Sequence, residues 1–102
     1  MYDIDGNQLT VMEWSLYRAT LGSVHLGDTT LGDYRISTVY IGLDMSLMGG
    51  RPLIFETMIF CPDEEYSYWM DRYSTKQEAL VGHDNAVKMI QRHMERLSCG
   101  IT

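Results

Sequence analysis

Apolar positions recur along the chain at two periods. Leu9, Met12, Leu16 and Tyr17 fall at helical spacing with Trp14 on another side, and Thr10 followed three residues later by Glu13 has the form of a capping box. The spacing predicts a short helix from about Val11 to Thr20, ended by Gly22. Residues Ser23 to Leu31 (SVHLGDTTL) are β-prone and predict a strand weakened at Gly27, where a bulge fits. Gly32-Asp33 suits a two-residue hairpin turn, so Tyr34 to Leu43 returns antiparallel. In that strand Ile36, Thr38 and Tyr40 share one face, and Ser37, Val39, Ile41 and Leu43 share the other.

The loop from Asp44 to Pro52 leads into a third strand, Leu53 to Phe60. Leu53, Phe55, Thr57 and Ile59 point one way, and Ile54, Glu56, Met58 and Phe60 point the other. Pro62 opens an acidic, aromatic segment within CPDEEYSYWMDRYS, which reads as a loop with room for one helical turn. Thr75 with Glu78 repeats the capping box. Ala79, Leu80, His83, Ala86, Val87, Ile90, Met94 and Leu97 then form a stripe at spacings of three and four, which predicts a long amphipathic helix fading near Ser98 to Gly100.

The expected fold is a single α+β domain over residues 1–102, in the order α-β-β-β-α. It is a three-stranded antiparallel meander with a short N-terminal helix and a long C-terminal helix packed on the sheet. The connections are too short for a parallel return. One helix covers one face, so the opposite face needs the N-terminal helix or another subunit, and a homo-oligomer, dimer or higher, is expected.

Composition narrows the function classes. A chain of 102 residues has material for one core, and at 45% hydrophobic and 22% charged it is globular. Fourteen acidic residues against 8 basic give a net charge of -6, which argues against nucleic acid as a partner. No apolar run approaches the ~18 residues of a membrane span, so no membrane partner is expected. Cys61 and Cys99 form no CxxC pair and MYDIDGNQ has no apolar signal core, which points to free thiols in a reducing compartment.

No cofactor fingerprint is present, and the three histidines lie in distant segments without HExxH spacing, so neither cofactor nor metal is expected. Eight residues are candidates for ligand or partner binding. Glu56 sits alone on an apolar strand and needs a donor such as Arg35, Arg51 or Arg72. Asp44 and Arg51 flank a loop with Gly49 and Gly50, where backbone amides could approach an anion or Asp44 could close a turn. Tyr66, Tyr68 and Trp69 stand among carboxylates and combine large rigid bodies with polar handles, which suits a contact surface or a roof over the core. Arg72 is the nearby cation, and His83 lies on the apolar stripe of the last helix, where a satisfied core histidine is the commoner outcome. Met45 and Met48 could add an adaptable surface.

Three blocks, ISTVYIGLD with its Gly-rich loop, PLIFETMIF, and RYSTKQEALVGH, carry a resemblance. Together they resemble a family of short uncharacterised proteins encoded mainly by tailed bacteriophages and prophages, over about Asp33 to Val87. This chain has Met45 where the family pattern usually carries His, so no ligand role transfers to that position. The resemblance implies a phage accessory protein in the host cytoplasm, with no named activity. The leading expectation is a non-enzymatic protein that engages or inhibits a host factor. The alternative is an oligomeric binder of small nucleotide signals with Asp44, Arg51, Glu56 and Arg72 lining a pocket between subunits. A small enzyme using Glu56 and His83 as acid and base is the third, and it requires the two side chains to be close.

Overall fold

A computed structural model describes residues 1–21, 24–44, 46, 49–61 and 67–100, with side chains described at all of these except 67, 68 and 97–100. The elements are α1 (Val11–Leu21), β1 (His25–Leu31), β2 (Tyr34–Tyr40), β3 (Phe55–Phe60), β4 (Ser67–Tyr73) and α2 (Lys76–Gly100). The fold is α+β, with a helix at each end and a four-stranded antiparallel sheet in the order β1-β2-β3-β4. The expected meander is therefore extended by one strand. Residues 67–73, expected in a loop, pair with β3 from Phe55↔Tyr73 to Ile59↔Trp69. The physical reason is alternation: Trp69, Asp71 and Tyr73 share the face of Ile59, Thr57 and Phe55, while Met70 and Arg72 share the face of Met58 and Glu56.

Local chemistry explains the remaining boundaries. Glu13 N–H donates to Thr10 Oγ1 and Thr10 N–H to Glu13 Oε1, closing the first capping box. The same reciprocal pair between Thr75 and Glu78 starts α2. Gly32 has φ +57° as the first central residue of the β1–β2 turn, a left-handed value that a side chain would resist. A bulge falls between His25 and Gly27, as the strand pattern suggested. Gly22, Met45, Met48 and Tyr66 lie outside the described residues.

The core is built on three rungs of the central strand pair: Ile36↔Ile59, Thr38↔Thr57 and Tyr40↔Phe55. All six side chains are essentially inaccessible and face α2. Ala86 and Ile90 pack on the first rung with Trp69, Val87 and Met89 around them. Ala79 packs on the third, with Ile54 and the flanking Tyr2, Ile4, Tyr17, Leu21 and Tyr73. The middle rung is polar and meets His83. Leu80, expected on this stripe, is 42% exposed, because the buried row of α2 runs Ala79, His83, Ala86, Ile90.

α1 buries only part of its expected stripe. Tyr17 joins the cluster at Tyr40 together with Leu21 and lies edge-on to the Tyr40 ring, while Met12 and Leu16 face outward with Val11. Since Tyr40 lies on the α2 side, α1 does not supply the opposite face with the cover that the three-strand reading asked of it. That face carries Val39, Met58, Phe60 and Met70 beside the Arg35–Asp28 and Arg72–Glu56 ion pairs.

Candidate functional site

The tight connection through Ser74 and Thr75 folds α2 back along β4, so the helix and this edge strand form the two walls of a groove. One part of it encloses about 650 Å³ between Trp69, Asp71 and Tyr73 on the strand and Val81, Gly82, Asn85 and Met89 on the helix. A second part of about 530 Å³ shares Trp69 and Met89 and continues to Arg92, His93 and Arg96. Trp69 and Met89 line both parts, so the two lie end to end. On the helix they are lined by a row at 78, 82, 85, 89, 92 and 96, with Ala86 and Ile90 of the buried row at their base.

The ends of the groove differ electrically. At one end Arg51 Nη2 donates to Glu78 Oε1 at 2.8 Å, and this bond, with those from Thr75, holds the Glu78 carboxyl below its ordinary pKa. At the other end Arg92 and Arg96 stand one turn apart, and among the described residues no carboxylate forms an ion pair with either. His93 sits edge-on to Tyr34. In a chain of net charge -6, this end gathers two cations.

Tyr73 closes the groove floor against Gly82, where an added Cβ would lie 2.2 Å from the phenol. Burial pushes its phenol pKa up, with Thr57 opposing that shift, and among the described residues the buried hydroxyl has no hydrogen-bond partner.

His83 lies under the groove, not in it. Its Nδ1 is 2.7 Å from Thr38 Oγ1 and its Nε2 2.9 Å from Thr29 Oγ1, and Thr38 Oγ1 is 2.6 Å from Thr57 Oγ1. Burial lowers the imidazole pKa below 6.5, with the nearby Asp84 and Asp28 opposing. Both ring nitrogens are thus occupied by hydroxyls inside the core.

Glu56 finds one of its three expected donors: Arg72 Nε donates to Glu56 Oε2 at 2.9 Å. This pair is on the face of the sheet opposite α2, since Glu56 alternates with Phe55 and Thr57. Glu56 and His83 are therefore separated by the sheet, and the acid–base pairing has no geometry. Asp44 closes its loop by accepting from the backbone N–H groups of Ser46 and Leu53, which lowers its pKa. Asp44, Arg51, Glu56 and Arg72 occupy three separate places within one chain.

Of the eight candidates, the groove gathers Arg51 and Trp69. Tyr66 and the Tyr68 side chain lie outside the described residues. Sequence reasoning counted Asp71 and Tyr73 in the acidic, aromatic segment and passed over Asn85, Met89, Arg92 and Arg96. The available signal was the second helical row, hidden because its members are mostly polar. Among the described residues no group of three or more His, Cys, Asp or Glu gathers at metal-binding distance, and no helix is long and apolar enough to cross a membrane.

No family model matches the chain, and no curated protein or solved structure matches it.

Proposed function

We propose that this is a phage accessory protein that works in the host cytoplasm by non-catalytic binding of a host factor, with the α2–β4 groove as its contact surface. The groove carries the reading. It is long and open, it exposes Val81 at 53% with Trp69 and Met89 in the same lining, and it ends in two arginines that no carboxylate among the described residues pairs. Aromatic, methionine and arginine side chains are the types enriched at protein contact surfaces. His83, whose pKa is lowered by burial, serves the core beneath.

Capture from host lysate by the purified protein tests it. A partner retained by wild type and by Met70→Glu on the opposite face, and lost by Val81→Glu, is the expected result. Equal capture by Val81→Glu, or no partner at all, overturns it.

The groove volume also supports a second reading, the binding of small nucleotide signals by an oligomer, because about 650 Å³ lies within the range of ligand pockets. In this reading Arg51 is kept from the four residues expected, and Trp69 and Asn85 take the place of Asp44, Glu56 and Arg72. A thermal-shift panel of cyclic nucleotides tests it, and a flat response removes it.

A further inference from the structure

β4 is the edge of the sheet, and an edge strand leaves alternate backbone N–H and C=O groups without a partner. That edge runs beside the groove from Trp69 to Tyr73. A partner that lies here as an extended strand can pair with those groups while every second side chain falls between β4 and α2, which is the geometry of strand addition. The row on α2 from Glu78 to Arg96 spans about 27 Å at the helical rise. An extended segment of about eight residues covers the same distance.

The side chains along the walls fix what the segment carries. Antiparallel addition makes it run from the Tyr73 end of β4 toward the Ser67 end, so its C-terminal residues arrive beside Arg92 and Arg96. Two cations one turn apart, without carboxylate partners among the described residues, suit carboxylates there. Trp69 and Met89 present an apolar seat just before that end. Asp71 is exposed on the groove side of β4 and Glu78 lines the far end, so acidic side chains are disfavoured in the first half.

We infer that the α2–β4 groove binds an extended peptide segment of about eight residues as a fifth strand on β4, with apolar side chains against Trp69 and Met89 and carboxylates at its C-terminal end against Arg92 and Arg96. This rests on the groove being the binding surface and adds the class and direction of what it takes.

The test uses the full chain and labelled synthetic octapeptides of alternating threonine and valine. One ends in Asp-Glu with a free carboxylate, and one ends in Lys-Lys. Two further versions of the first carry N-methyl groups on alternate amides, in the two possible registers. The expected result is at least tenfold tighter binding of the acidic peptide, loss of that preference in the Arg92→Glu/Arg96→Glu variant, and abolition by one N-methyl register only. New hydrogen-exchange protection should appear at β4 amides. Both arginines are exposed, so the variant should fold, and the N-methyl comparison does not depend on it. Equal affinity for acidic and basic peptides, indifference to both N-methyl registers, or preference for a helix-stapled peptide ending in Asp-Glu overturns the inference. A host factor captured in a Val81-dependent way without octapeptide binding sinks strand addition and leaves the groove reading intact. Octapeptide binding without any captured factor does the reverse.

Discussion

Gly27 of β1 lies so close to His83 of α2 that a Cβ at position 27 would sit 2.9 Å from three atoms of the imidazole ring. The ring is held from both sides by threonine hydroxyls and cannot step aside without giving up one of them. Gly27→Ala should therefore destabilise by about 1–3 kcal/mol, the usual range for overpacking. Chemical denaturation measures it. Ala at position 6, where nothing lies within 4 Å, is the comparison for left-handed strain without crowding, since Gly6 has φ +88°.

His83 makes stability depend on pH near neutrality. Its folded pKa lies below 6.5, so the unfolded chain takes up the proton first. The stabilisation is complete above about pH 6.5 and is lost as pH falls toward the folded pKa. Urea midpoints should be lower at pH 5.5 than at pH 7.5, and the part of that drop due to His83 should disappear in His83→Gln. An equal drop in the variant would show that His83 is not its source.

Thr38 is the hub of the buried hydroxyls, shared between His83 Nδ1 and Thr57 Oγ1. Thr38→Val keeps the shape and strands both partners, and should cost about 1–3 kcal/mol. Adding Thr57→Val should cost less than the sum of the single changes, because one unsatisfied group goes with it. A strictly additive double variant would show that the two hydroxyls do not act together.

The Glu56–Arg72 pair is half-hidden, with side-chain exposures of 12% and 28%. Arg72→Met leaves the less accessible carboxylate alone and should destabilise by about 1–3 kcal/mol. Glu56→Gln in the same background should recover part of the loss. Thermal melts of the wild type and the two variants check the order.

Much of this architecture is written in local chemistry. Both capping boxes, the Gly32 turn, the Gly27 bulge and the two-faced alternation of 36–40 and 55–60 are properties of adjacent residues, and all were legible. β4 was not, because the Asp63-Glu64-Glu65 run and Pro62 before it read as loop, while the pairing that makes 67–73 a strand comes from β3. α1 was read in part for a similar reason: Tyr17 packs as expected, but Met12 and Leu16 of the same stripe face outward and Leu21 is drawn in, because the position of Tyr40 decides which side is buried. Glu56 was read with the right donor among three. The groove escaped notice because it is a relation between a helix row and a strand edge, and neither carries a pattern of its own.

The hydroxyl-lined middle rung restricts how α2 can seat. With Ile36 and Ile59 on one side of Thr38 and Thr57, and Tyr40 and Phe55 on the other, the surface beneath the helix alternates greasy, polar, greasy along its length. Sliding the helix by one turn would press the imidazole onto hydrocarbon and leave two dry hydroxyls facing a methyl group, a double penalty. Docking is thereby indexed to a single notch, so a small domain with few large core side chains still has one way to close.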